Sequence, residues 1–245
     1  MARIANRAQI WLLNAIASTS RYVVERTLPE SVPSLMNRAA ILDSFGYAKK
    51  HMAQAFSFLD RFEGLSLSIH EALRRYPDRN LVLEFGVYKG GMINYQAKRF
   101  RNLKFVGFDS FQGLQEQWPG MHPVQTFGLG GKLPRVRHNV SLVKGWFADV
   151  VPEWKKTIPS PCIPLLIHVD CDTYNATADV LKLCAEYVAH GLIFHFDDYF
   201  GFPNWRSGGY KALNEISQEQ GWCLTYLSYG TKEVAILAEI PVVQS

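Results

Sequence analysis

The chain has 245 residues, 48% hydrophobic and 20% charged, with a formal net charge of +4. That length and balance suit a single α/β domain with one large core, and they exclude a disordered or low-complexity chain. No run approaches the ~18 apolar residues of a membrane span, and no Lys/Arg cluster carries the interleaved aromatics of a nucleic-acid surface.

Residues 1–50 hold seven Lys/Arg against three Asp/Glu, which accounts for the whole excess of +4. A solvated basic face on a helical appendage explains this charge, so neither nucleic acid nor membrane is an expected partner. The opening stretch shares the basic start and apolar run of a signal peptide, but Gln9 and Asn14 interrupt it. Ile4, Ala8, Trp11, Leu12 and Ala15 recur at helical spacing, which reads as an amphipathic helix. Residues 1–60 are therefore expected to be a helical extension, with turn signals at Pro29 and Pro33. It would serve as a lid or as the contact of a homo-oligomer, with residues 61–245 forming the main domain.

A helix is expected from about Leu65 to Arg75, then a turn at Pro77-Asp-Arg-Asn80. Leu81–Phe85 is a strand, and Gly86 opens a turn into a helix reaching Arg99. Lys104–Asp109 is the next strand. Residues 112–139 contain three prolines and five glycines, too many for a regular element, and so long an irregular segment suggests a lid. Val140–Lys144 forms a short strand. Two apolar runs follow, Leu165-Leu-Ile-His-Val-Asp170-Cys-Asp172 and Leu192-Ile-Phe-His-Phe-Asp197-Asp198. Each reads as a strand buried on both faces, and the segment between them accommodates one crossover helix. Trp222–Ser228 and Glu233–Glu239 make a hairpin. The order predicts a Rossmann-like, mostly parallel seven-stranded sheet with a C-terminal antiparallel hairpin strand. Cys162, Cys171, Cys184 and Cys223 show neither CxxC spacing nor paired histidines, so a reduced, cytoplasmic protein is expected.

Chemistry gathers at the carboxyl ends of the strands, where open α/β sheets bind ligands. Asp170, Asp197 and Asp198 end neighbouring strands and would repel one another unless a hard cation such as Mg²⁺ joined them. Asp172 either joins them or caps the next helix. His168 and His195 each precede a proposed ligand by two residues, and each reads as a base, a supporting partner or a hydrogen-bonded core histidine. In Glu84-Phe-Gly86-Val-Tyr88-Lys-Gly90-Gly91, glycine lets the backbone approach a ligand closely. Asp109, 23 residues after Gly86, stands where an acidic side chain accepts from ribose hydroxyls. Trp118, Met121, His122 and Phe127 either line an acceptor pocket or anchor the irregular segment. Lys132, Arg135, Arg137 and His138 form a basic cluster that would suit an acidic substrate or a solvated face. Trp205 and Arg206 are expected near the pocket.

Glu84–Gly91, Phe108-Asp-Ser-Phe-Gln-Gly-Leu114, Lys144-Gly-Trp-Phe147, His168–Tyr174 and Phe196-Asp-Asp-Tyr199 together resemble the macrocin O-methyltransferase-like family, from about residue 60 to 220. The resemblance implies a class I S-adenosylmethionine-dependent methyltransferase, with Glu84, Gly86 and Tyr88 along the methionine part of the cofactor. It also implies Asp109 on the ribose, and Ser110, Trp146 and Phe147 around the adenine. The metal ligands would be Asp170, Asp197 and Asp198, as in the similar catechol O-methyltransferases. Asp170, Asp197 or His168 would do the catalytic work on a small hydroxylated acceptor, a natural product or sugar-like molecule. Thr173 stands where catechol-type enzymes carry their lysine base. Two alternatives remain open on sequence: a glycosyltransferase using Asp170-Cys-Asp172 on a nucleotide sugar, and a non-catalytic S-adenosylmethionine-binding module.

Overall fold

A computed structural model describes residues 31–118, 121–160 and 162–241. The chain divides into two compact units, residues 1–38 and residues 39–245. Of the first, the described part is the start of helix α1 (Val32–His51), where the Ser31 hydroxyl accepts from the Ser34 N–H at 3.3 Å. Pro33 falls in this first turn, where a missing N–H costs nothing, so it opens a helix rather than a loop. The signal-like and amphipathic readings of residues 1–30 lie outside the described residues.

The second unit runs through the rest of α1, β1 (Phe56–Ser57), α2 (Arg61–Arg75), β2 (Leu81–Phe85), α3 (Gly91–Arg99), β3 (Lys104–Asp109) and β4 (Val140–Lys144). It continues with α4 (Phe147–Thr157), β5 (Leu166–Val169), α5 (Tyr174–Cys184), β6 (Leu192–Phe196), α6 (Gly209–Gln220), β7 (Cys223–Tyr229) and β8 (Val234–Glu239). The sheet order is β1-β7-β8-β6-β5-β2-β3-β4, and only β8 runs antiparallel to its neighbours. This is the expected Rossmann-like sheet, extended to an eighth strand by the two-residue edge pairing of β1 with β7. No described helix is long and apolar enough to cross a membrane.

Strand alternation sorts the core onto two faces. Val82, Leu166, Ile193 and Leu237 point to the side packed by Leu65 and Ile69 of α2 and Met92 and Ile93 of α3. Leu83, Ile167, Phe194 and Ile236 point to the side packed by Val151 of α4, Leu181 of α5 and Leu213 of α6. Every residue of β2, β5 and β6 is buried, as a strand covered on both faces must be. Glu84, His168 and His195 share one row across β2, β5 and β6, and that row faces α2. α2 starts at Arg61 rather than near Leu65, because the Asp60 side chain accepts from the Glu63 N–H at 3.0 Å and caps the helix there.

Among the described residues no helix intervenes between β3 and β4. The segment between them is irregular, as expected, but it is tied by its own hydrogen bonds. Leu114 and Gln125 donate to Thr126 and Leu114 carbonyls at 3.0 and 2.9 Å, and Leu129 and Gly131 both donate to the Phe111 carbonyl.

Candidate active site

β2 ends in a turn whose geometry demands glycine. Gly86 has φ +93°, and a Cβ there would lie 1.7 Å from the Asp170 carbonyl oxygen. The loop after β2 therefore rests directly on the turn after β5. Tyr88, at φ 49°, is held in the left-handed region by Asp109. One carboxylate oxygen of Asp109 accepts from the Val87 and Tyr88 N–H groups, both at 2.8 Å, and the other accepts from the Phe111 N–H at 2.6 Å. The expected ribose acceptor thus has a first task in the protein itself, which is to shape both loops around it. Ser110, which is buried, accepts from the Gln112 N–H at 3.1 Å.

Four carboxylates meet at the ends of β5 and β6. Asp170, Asp197 and His168 can converge on one point, and Asp170, Asp172 and Asp198 on another. Asp172, at φ 63°, lies in the turn rather than on the strand, and Thr173 takes the N-cap position of α5. Burial and the charge of Asp197 push the Asp170 carboxyl well above its usual range. Burial and the charge of Asp198 do the same to Asp172. Burial and Asp197 push Asp198 up to about 6. Burial works against Asp197 too, but the facing His168 and Arg61 outweigh it and hold that carboxyl below the usual range. Besides His168, Arg61 lies 3.6 Å from Asp170 and 3.4 Å from Asp197, and Lys232 lies 3.3 Å from Asp198. The carboxylate donor set, with Asp170, Asp172 and Asp198 raised by burial and by neighbouring negative charge, fits a hard divalent ion. So does the buried Oδ1 of Asp197, which has no hydrogen-bond partner.

His168 stands behind these ligands and does not border the cavity. Its Nδ1 is 3.0 Å from Glu84 Oε2 and its Nε2 is 3.8 Å from Asp197 Oδ1, with no side-chain exposure. Burial disfavours its charge, yet Asp197 and Glu84 overcome that and push it up to about 10. Away from the cavity, its ring faces Glu84 and Asp197 rather than the space where an acceptor hydroxyl would lie. Glu84, 3% exposed, is likewise turned to His168 rather than to the cavity. His195 bonds Ser68 through Nδ1 at 2.9 Å, and burial together with the charge of His168 lowers it to about 3.

The carboxylates and the glycine loop open into one cavity of about 910 Å³. Gly86, Tyr88, Asp109, Ser110, Trp146 and Phe147 border it together with Asp170, Asp172, Asp197 and Asp198. The irregular segment supplies a wall of rings. Tyr88 meets Phe127 at 5.5 Å, Phe127 meets His122 at 5.1 Å, and His122 meets Trp118 at 5.6 Å. Trp118 in turn packs edge-on against Phe202 at 5.5 Å. Met121 also borders the cavity, so all four residues singled out in this segment do. Glu116 fastens the segment to α5 by accepting from the Asn175 backbone and side-chain N–H groups at 3.1 and 2.5 Å.

Of the two readings of the basic cluster the solvated face fits, since Lys132, Arg135 and His138 are exposed and neither they nor Arg137 line the cavity. One expectation does not hold: Trp205 and Arg206 turn away from the cavity to bond Asp43 of α1 at 3.0 and 2.9 Å. Sequence reasoning missed Arg61 and Lys232. Neither lies in a motif, although Lys232 sits in the hairpin turn that the sequence located.

Residues 83–199 match a family model described as a methyltransferase domain. The O-methyltransferase NovP superposes with TM-score 0.54 at 18% identity, over 74% of this chain and 80% of NovP. CalS11, a calicheamicin methyltransferase, superposes with TM-score 0.55 at 19% identity, over 87% of this chain and 95% of CalS11. No match is found among curated proteins. The domain match sets aside the nucleotide-sugar alternative.

Proposed function

We propose that this chain, a class I S-adenosylmethionine-dependent methyltransferase, moves the donor's methyl to a hydroxyl of a small molecule with the help of Mg²⁺. One observation carries the proposal: the carboxylate cluster and the Asp109-shaped loop open into the same cavity. S-adenosylmethionine supplies a methyl on a positively charged sulfur, which needs no further activation. Asp170, Asp197 and Asp198 are the residues to hold Mg²⁺, whose chemistry is to lower the pKa of an oxygen bound to it.

The protein's own work is positioning. Gly86 and Tyr88 bring backbone close to the methionine part of the donor. Asp109 keeps lone pairs free for the ribose beyond its three backbone bonds, while Ser110, Trp146 and Phe147 border the adenine. The rings from Tyr88 to Trp118 exclude water from the transfer path. Among the three ligands Asp170 is the most exposed, its side chain 22% accessible against 7% for Asp197 and 11% for Asp198. That exposure makes it the ligand placed to meet the acceptor hydroxyl. His168 keeps its own proton and steadies Asp197. A natural-product or sugar-like acceptor follows the resemblance to macrocin O-methyltransferase-like enzymes.

The test combines chelation and substitution. Methyl transfer to hydroxylated acceptors should be lost with EDTA and restored by Mg²⁺, and Asp198→Asn should abolish it while S-adenosylhomocysteine binding persists. Full turnover in the chelated protein would refute the metal reading.

A further inference from the structure

Arg61 belongs to no motif and precedes the segment that matches the methyltransferase domain, yet it reaches the centre of the acidic cluster. It is the first residue of α2, and the Asp60 cap fixes where that helix begins. Its two terminal nitrogens point at different carboxylates, Nη2 at Asp170 Oδ2 (3.6 Å) and Nη1 at Asp197 Oδ2 (3.4 Å). Both separations exceed that of a charge-assisted hydrogen bond, so the guanidinium bridges two side chains without forking onto either. A structural arginine normally closes onto one carboxylate. Arg206 does so, reaching both oxygens of Asp43 at 2.9 Å. Arg61 borders the cavity with its side chain 44% exposed, so it has room to withdraw.

Resting on the metal reading above, we propose that Arg61 is a resident counter-cation, its guanidinium filling the space between Asp170 and Asp197 that a divalent ion takes over. Without an ion, four carboxylates crowd the rim; His168 faces Asp197 from the buried side, and Arg61 and Lys232 are the cations that reach them from the cavity. Arg61 keeps Asp170 and Asp197 apart from each other's charge and in place. A hard cation draws ligand oxygens to roughly 2.0–2.6 Å. A guanidinium about 3.5 Å from the same oxygens would then face it at contact range, where like charges repel strongly. Arg61 must therefore yield. Lys232 differs, because it holds Asp198, a carboxylate outside the Arg61 bridge, and lies over the rings of Trp118 and Phe202 at 5.8 and 5.4 Å. Metal affinity is thus set partly by a side chain that is not a ligand.

Mn²⁺ binding to the full chain, read as loss of the free-ion electron-spin signal, tests this at about 0.15 M and about 0.5 M KCl. Arg61→Gln should bind Mn²⁺ at least ~10-fold more tightly than wild type at both salt levels. Arg61→Lys keeps the charge without the planar bridge, and should fall between them. It also serves as the informative variant if Arg61→Gln does not fold. Equal or weaker binding in both variants overturns the proposal. So does a gain that vanishes at the higher salt, which would mark a screened field rather than occupancy of the site. Wild type and variants that all fail to bind Mn²⁺ would sink the metal reading itself. Binding that is equal in all three sinks only the role given to Arg61.

Discussion

Asp109→Ala is the most discriminating single change at the donor end. It leaves the N–H groups of Val87, Tyr88 and Phe111 without their acceptor, all bonds of 2.6–2.8 Å. Hydrogen bonds to a charged group are worth about 1.5–3 kcal/mol each when buried. Asp109 is only partly buried and water can replace it, so about 1 kcal/mol per bond is the better figure, or about 3 kcal/mol in all. For a domain of this size that corresponds to a fall in Tm of about 6–12 °C. Because the same loops frame the donor site, S-adenosylhomocysteine affinity should also drop, by at least ~10-fold. Differential scanning calorimetry of the ligand-free protein and titration calorimetry with S-adenosylhomocysteine read the two effects separately. Asp109→Asn keeps a carbonyl oxygen and should show roughly a third to a half of that loss. An Asp109→Ala protein that melts like wild type would show that these bonds do not hold the loops. Unchanged affinity would remove Asp109 from the donor site altogether.

Gly86→Ala should be among the most damaging small substitutions, because the new Cβ meets the Asp170 carbonyl at 1.7 Å and φ +93° is already unfavourable; soluble expression with a wild-type melting curve would contradict that contact. In the metal-free protein His168 links stability to pH. Its folded value of about 10 lies above the unfolded 6.5, so its contribution is full below pH 6.5 and is lost as pH rises through 10. Melting temperatures should decline across that window, and His168→Gln should flatten the decline; parallel slopes would refute the assignment. Amides of the segment from Gln112 to Asn139 should exchange more slowly with S-adenosylhomocysteine and Mg²⁺ than without them. The bonded amides of Leu114, Gln125, Leu129 and Gly131 should already be slow in the free protein. Equal exchange in every state would make the segment a fixed insert.

Most of the fold could be read from local pattern, because its signals are local. The apolar runs at β2, β5 and β6, each broken by a single titratable residue, name strands covered on both faces, and those of β5 and β6 end in the acidic residues that mark the rim. Asp60 followed three residues later by Glu63 is a helix-start signature, and it was available for placing the start of α2 at Arg61. Other features depend on what arrives from far along the chain. A lone arginine or lysine carries no local mark of the carboxylate it will face, so Arg61 and Lys232 were invisible. Trp205 follows the acidic pair closely in sequence, yet Asp43 of α1 draws it away. A two-residue strand such as β1 has too few side chains to show any period. The ligand carboxylates were legible by type and spacing, whereas the duty of Asp109 toward backbone N–H groups was not.

The contact between Gly86 and the Asp170 carbonyl has a bearing on the order in which ligands arrive. One side of that contact belongs to the loop that receives the donor, and the other carries a ligand of the proposed cation. Neither can shift without pressing on its neighbour, since there is no side chain between them to absorb the movement. Filling one half of the cavity should then sharpen affinity for the other, and reciprocity requires the same factor in both directions. Donor and ion would load as cooperating partners, and the acceptor would meet a site that is either fully assembled or not assembled at all.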